Sequence, residues 1–325
     1  MNSPRKILLV QTAFIGDVIL ATALVEKLHS CYPDCKIDFL VRKGNESLLS
    51  SHPHIHRVWF WDKKQNKIKN LLSLILLIRR QKYDTIINAH RFASSGLICA
   101  MSGAKEKVGF DKNPLSIFFT RKVKHSLYNG LHETQRNQML IAHFTDDEAS
   151  KPKLYPSADD FAFISQYQTQ EYCCMAPTSV WFTKQLPLPK WVMLCNKIKS
   201  GTIYLLGAPT DFEACESIRK QSENVNIVNL AGKLSLLQSA ALMQGATMCY
   251  VNDSAPLHIA SSMNAPVTAF FCSTIPAFGF GPLSTSSRIV EATIKPECRP
   301  CGIHGYKQCP KGHFKCAEGI EIESL

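Results

Sequence analysis

Residues 6–30 read KILLVQTAFIGDVILATALVEKLHS, and this stretch decides the fold. Residues 6–11 are a short apolar run of strand length. Residues 12–17 form a loop with small residues, Thr12, Ala13 and Gly16. From residue 18 to residue 30 the apolar side chains Val18, Ala21, Leu24, Val25 and Leu28 recur at helical spacing. Strand, loop and helix in that order open a βα unit, and the pattern continues. Residues 36–41, 57–61 and 84–89 read as strands. Residues 66–82 read as a helix with Ile68, Leu71, Leu72, Ile75 and Ile78 on one stripe. Such alternation predicts a parallel sheet covered by helices.

Between residues 146 and 172 the alternation dissolves. Asp146, Asp147, Glu148, Pro152, Pro156 and the glutamines at 166, 168 and 170 mark a linker. The pattern then restarts, with strands at 172–176, 202–206, 225–230, 247–251 and 266–271. Helices are expected at 191–200, 211–221, 235–243 and 255–263. No repeat at the level of sequence links the two halves. The reading is an α/β chain of two domains, residues 1–160 and 161–325. A length of 325 residues fits two domains and a core that needs no disulfide framework. With 45% apolar and 19% charged residues, a disordered or fibrous chain is excluded.

Charge is unevenly placed. The chain has 37 Lys and Arg against 26 Asp and Glu. Residues 1–145 hold 22 basic and 10 acidic side chains, and the remainder 15 and 16. A basic first half implies an anionic partner (nucleic acid, an anionic membrane surface or a phosphorylated substrate) or else is a positively charged solvated surface. The longest apolar run, residues 71–78, is far shorter than the ~20 residues of a membrane span. The run at 7–10 is too short for the core of an export signal. The expectation is a cytoplasmic chain with at most peripheral membrane contact. The odd number of cysteines, 13, fits a reducing compartment. Cys173, Cys174, Cys195, Cys215, Cys249 and Cys272 lie in apolar stretches, where free thiols act as small hydrophobes.

The loops that follow strands carry the chemistry. In open α/β sheets they gather at one edge, where ligands bind. Gly16 allows a tight turn into the first helix. Asp17 sits where it either caps that helix or serves as a base for a hydroxyl. Lys184, after the first strand of the second half, suits a diphosphate oxygen, or else is an exposed surface lysine. The stretch VNDSAPLHIA, residues 251–260, brings a strand into a helix whose first turn holds Pro256. Asp253, Ser254 and the helix amides there either cap the helix or hold a diphosphate and sugar hydroxyls. Two more such loops run Gly207 to Asp211 and Asn229 to Lys233; Asp211 is also placed to cap the helix after it. The chain has neither a GxGxxG fingerprint nor a Walker A loop.

Together, IGDVILATALVEKL (15–28), the Thr183, Lys184 and Pro187 element, NLAGKLSL (229–236) and NDSAPLHIA (252–260) resemble the ADP-heptose lipopolysaccharide heptosyltransferases of glycosyltransferase family 9. The resemblance runs in order over nearly the whole chain. It implies a GT-B fold, two facing Rossmann-like domains with a central cleft. The first domain would hold a Kdo/heptose–lipid A type acceptor and the second ADP-heptose. The implied reaction is inverting, needs no metal for its chemistry and adds heptose to the inner core of lipopolysaccharide. Asp17 matches the general base and Lys184 the diphosphate-contacting lysine. The nucleotide-sugar set would be Ser179, Thr183, Lys184, Gly207, Asp211, Gly232, Asp253, Ser254, Ala255 and His258, with Asp253 near the heptose. His132, Glu133, Arg136 and Asn137 match an HExxRN element; the acceptor set would be Gly16, Arg91, Arg121, His132 and Arg136. Ala255 stands where the family usually has Gly, and Leu186 where Trp is common.

Cys298, Cys301, Cys309 and Cys316 are spaced C-x2-C-x7-C-x6-C, with His304 and His313 among them. A structural zinc, reduced thiols and disulfides are all compatible with that spacing. Two other functions compete. One is a family 9 transferase that uses a different nucleotide sugar. The other is a basic zinc-containing nucleic-acid-binding protein, against which stands the lack of any RNP, KH or helix-turn-helix pattern.

Overall fold

Asp17 and Lys184 each follow the first strand of a six-stranded parallel sheet. The computed structural model describes residues 6–323. The chain divides into two units, Met1–Tyr155 and Pro156–Leu325. In the first the elements are β1 (Lys6–Val10), α1 (Ile15–Cys31), β2 (Lys36–Arg42), β3 (Arg57–Trp61), α2 (Lys67–Arg80), β4 (Thr85–Asn88), α3 (Ala93–Met101), β5 (Glu106–Phe110), β6 (Arg121–Val123) and α4 (Glu133–Gln138). The sheet order is β3-β2-β1-β4-β5-β6, with every pairing parallel. Ile7 to Val10 are fully buried, as a central parallel strand covered on both faces requires.

The second unit holds α5 (Ala158–Ile164), β7 (Tyr172–Ala176), α6 (Leu188–Lys197), β8 (Thr202–Leu205), α7 (Phe212–Gln221), β9 (Ile227–Asn229), α8 (Leu236–Gln244), β10 (Met248–Asn252), α9 (Ala255–Ser262), β11 (Val267–Phe270), β12 (Ser287–Val290) and α10 (Lys315–Glu318). Its sheet order is β12-β11-β10-β7-β8-β9. Numbered from its own first strand, this is the same order as in the first unit. The order reverses between β1 and β4, and again between β7 and β10. These are the switch points at which open α/β sheets bind ligands.

Three local expectations are corrected. The linker expected at 146–172 contains α5. Ser157 Oγ accepts the Asp160 amide at 3.1 Å and Asp160 Oδ2 accepts the Ser157 amide at 2.9 Å, a capping box that starts the helix. The helix expected at 191–200 starts three residues earlier, because Pro189 is tolerated in its first turn. In α2 the core takes Leu71, Leu74, Ile75 and Ile78, whereas Ile68 and Leu72 are 74% and 48% exposed. All 13 cysteines are free thiols. The six expected to pack as hydrophobes are buried.

Candidate active site

In the first unit, loops after β1, β4 and β6 bring charged and polar side chains together. Asp17 is the third residue of α1, and its Oδ2 accepts the Phe14 amide at 3.2 Å. The capping role is therefore real. The same carboxylate lies within electrostatic reach of Glu133. Burial pushes the Glu133 carboxyl up; the charge and hydrogen bond of Arg136 pull against this, Asp17 adds to it, and Arg91 also opposes it. Arg136, 1% exposed, donates from Nε to Glu133 Oε2 at 2.8 Å and from Nη1 to the Leu131 carbonyl at 2.5 Å. His132 caps α4, its Nδ1 accepting the Thr134 amide at 3.2 Å. Arg91 Nη1 approaches His125 Nδ1 at 3.4 Å.

Asp17, Arg91, His132, Glu133 and Arg136 thus share one end of the sheet. Arg121 does not join them. It opens the edge strand β6 and is exposed, about 14 Å from β1 by three strand spacings. Gly16 is the second residue of α1 in helical backbone, so no left-handed turn explains it.

Sequence reasoning missed a second group beside Asp17. Lys63 Nζ donates to the Thr12 carbonyl at 2.7 Å, and Thr12 Oγ1 bonds His90 Nδ1 at 2.9 Å. Burial, then Arg42 and Lys67, push the Lys63 ammonium down to about 8. Burial, then Lys63 and Arg91, push the His90 imidazole down to about 3. The only clue in the sequence was that these residues follow strands. Asn88 Nδ2 and both amide atoms of Asn137 are buried without a hydrogen-bond partner among the described residues.

In the second unit the loops after β7 and β10 meet. Lys184 Nζ lies 2.7 Å from Asp253 Oδ2, with side-chain exposures of 14% and 6%. The lysine is therefore not a free surface charge. Asp253 caps nothing; its Oδ2 also accepts the Thr274 hydroxyl at 2.5 Å. Ser254 occupies the N-cap of α9 without a side-chain capping bond, Ala255 opens the helix, and His258 is buried in it. Asn252 locks the two loops, accepting the Leu186 amide at 2.9 Å and donating to the Pro177 carbonyl at 2.8 Å. Ser179 is half-buried, and its carbonyl accepts Gln185 Nε2 at 2.7 Å.

Gly207, Asp211 and Gly232 form a clasp between the loops after β8 and β9. The Gly232 amide donates to the Gly207 carbonyl at 2.9 Å, and a Cβ on Gly232, whose φ is +76°, would lie 2.8 Å from Pro209 Cα. Asp211 Oδ2 accepts the Ala208 amide at 2.7 Å, so it caps the short turn before α7 and makes no side-chain cap to α7 itself.

The cysteine-rich tail backs onto Lys184. Tyr306 donates its amide to Thr183 Oγ1 at 2.8 Å, and its carbonyl accepts the Thr183 amide at 3.1 Å. The Cys301 amide donates to the Ser273 carbonyl at 2.8 Å. Ser273, Thr274, Gly305 and Tyr306 were not legible as site residues, being far from Thr183 in sequence. A structural zinc, one of the three states that the cysteine spacing allows, is not supported. Among the described residues no three His, Cys, Asp or Glu side chains are gathered as a metal requires. Cys298 Sγ faces His313 Nε2 at 3.8 Å, while Cys316 is buried where α10 packs. Cys309 is turned to the amides of its own loop. Desolvation raises its thiol, but the amides of Phe314, Lys311, Gly312 and His313 outweigh that and hold it low.

The model of glycosyltransferase family 9 (heptosyltransferase) matches residues 71–306. The chain is 26% identical to lipopolysaccharide heptosyltransferase 3 of Escherichia coli over 281 residues, covering 80% of this chain and 82% of the relative. Among solved structures it is similar to E. coli ADP-heptose lps heptosyltransferase II, with a TM-score of 0.77, 21% identity and coverage of 96% and 97%. It is also similar to E. coli heptosyltransferase WaaC with ADP-2-deoxy-2-fluoro heptose, with a TM-score of 0.72, 19% identity and coverage of 91% and 95%. The fold is thus the α/β GT-B fold of those structures, and the chain belongs to glycosyltransferase family 9, the heptosyltransferases.

Proposed function

We propose that the chain is an inverting transferase that moves heptose from ADP-heptose to the inner core of lipopolysaccharide. The acceptor is a Kdo/heptose–lipid A type glycolipid, met at the inner-membrane surface by a cytoplasmic enzyme. One observation carries the reading. Each unit sets polar and charged side chains at the switch point of its sheet: the Asp17 carboxylate within reach of the Glu133–Arg136 pair in the first, a half-buried lysine beside a helix N-terminus in the second. Relatives whose names state lipopolysaccharide or ADP-heptose support the choice of donor and acceptor.

The acceptor hydroxyl oxygen attacks the anomeric carbon as the bond from that carbon to the diphosphate oxygen breaks. Asp17 takes the hydroxyl proton, and ADP leaves from the opposite face. The transition state is oxocarbenium-like. Lys184 and the first amides of α9 meet the charge that grows on the departing diphosphate. Asp253 holds Lys184 in place before the donor arrives and lies beside the sugar afterwards. Arg91, Arg136 and Lys63 supply positive potential for an acceptor that carries acidic sugars and phosphate.

Asp17→Asn is the test. Asparagine keeps an oxygen for the Phe14 amide, so the thermal midpoint should hold, while turnover of ADP-heptose should fall at least about a hundredfold. Transfer by that variant at the wild-type rate would remove Asp17 from the chemistry. Turnover with another ADP-sugar and none with ADP-heptose would overturn the donor assignment.

A further inference from the structure

We infer that the exposed face of α2 is a docking surface for an anionic lipid bilayer. The inference deepens the proposed function, on which its purpose rests, by naming the face that meets a membrane holding a lipid-linked acceptor. Its physical basis lies in α2 alone. Leu71, Leu74, Ile75 and Ile78 already fill the core. A second apolar row, Ile68, Leu72 and Leu76, is 74%, 48% and 59% exposed. Spaced by four, these three side chains form one continuous row on the helix surface. The core does not use them, and water does not favour them.

Charge identifies the occupant. Residues 63–82 contain seven Lys and Arg and neither Asp nor Glu. Lys63 turns inward to Thr12, but Lys64, Lys67, Lys69, Arg79, Arg80 and Lys82 are exposed. At 100° per residue, Lys69 and Arg80 border the apolar row and Arg79 lies within it. A second copy of the chain, docked by two-fold symmetry, would set these cations against themselves. An anionic bilayer satisfies both features: the row enters the acyl boundary and the cations meet lipid phosphates. The helix lies on the surface and does not cross it. Its 14 residues span about 21 Å, short of the ~30 Å hydrocarbon core. No described helix is long and apolar enough to cross a membrane.

Vesicle flotation of the full chain tests the inference. Wild type should partition onto phosphatidylcholine vesicles that contain phosphatidylglycerol, less at high salt, and poorly onto phosphatidylcholine alone. Ile68→Ser/Leu72→Ser/Leu76→Ser should lower that partition at least about tenfold. Lys69→Glu/Arg80→Glu should lower it by at least about fivefold for each cation removed. No binding by wild type at low salt, or equal binding by the triple variant, overturns the inference. So does a triple variant whose only change is a smaller mass in sedimentation, which would assign the row to self-association. On a water-soluble deacylated acceptor the triple variant should turn over like wild type; a loss there as large as the loss in flotation assigns these residues to folding or to the acceptor site and overturns the docking face. Wild type inactive on every acceptor would sink the transferase reading and leave the vesicle result standing.

Discussion

His90 joins structure to pH at the scale of one residue. Its imidazole is buried against Thr12, and burial, Lys63 and Arg91 hold it down to about 3. In the unfolded chain it titrates near 6.5. As pH falls from 6.5 toward 3, the unfolded chain therefore binds a proton that the folded chain refuses. Stability is lost in that window, by up to about 1.4 kcal/mol per pH unit for this group. Denaturant titrations at several pH values should show a shallower acid slope in His90→Asn; an unchanged slope would clear His90 of that role. The same scale shows what a sequence can disclose. The places of Asp17 and Lys184 were legible because each sits one loop past a strand, with a helix or proline fixing the frame; the roles proposed for them come from the resemblance to the family. Thr274 and Ser273 were not. They bond Asp253 and Thr183 across 21 and 90 residues, and no local pattern encodes such a distance.

At the scale of elements, the tail stands out. Gly305 has a φ of +76°, and a Cβ there would lie 2.8 Å from Thr183 Oγ1 and 3.0 Å from Lys184 Cγ. Gly305→Ala strains a left-handed backbone by about 1–2 kcal/mol and pushes the tail off the lysine. We expect a small drop in thermal midpoint and a much larger loss of turnover. Equal losses in the two measurements would make the tail purely structural. Elements with strong periodicity, α1, α2 and the central strands, were legible. The short pieces α3, β5, β6 and α4 were not, since three to nine residues carry too few turns or alternations to stand out. The helix α5 was hidden among glutamines and prolines. It buries only Ile164 of its own residues, so no apolar stripe announced it. In α2 the pattern was misread because two apolar rows on one short helix look like a single wide stripe.

Across the whole molecule, one strand order occurs twice without a shared sequence repeat. What distinguishes the units is therefore carried by loops and surface charge, not by the sheets. The cationic surplus belongs to residues 1–145, and the rest of the chain is close to balanced. Surface fields are screened beyond about 10 Å at 0.1 M salt, whereas the half-buried, ion-paired Lys184 is shielded less. Raising ionic strength should therefore raise the KM for an anionic acceptor several-fold and change the KM for the nucleotide sugar little. Steady-state kinetics with each substrate varied in turn checks this; a donor KM that climbs as steeply would contradict the division of charge.

The ion pair between Lys184 and Asp253 has a kinetic consequence. Any diphosphate that takes up Lys184 must loosen its hold on a carboxylate buried at 6% exposure. If Lys184 meets the donor diphosphate as proposed, donor capture is an exchange of one anion for another, with most of the cation's attraction already satisfied at the outset. On that reading affinity for ADP would be lower than an unoccupied lysine would give, and the same competition would work in reverse after transfer. The carboxylate would reclaim the lysine as the nucleotide departs, so the site would expel its product with a counter-ion it never has to recruit from solution.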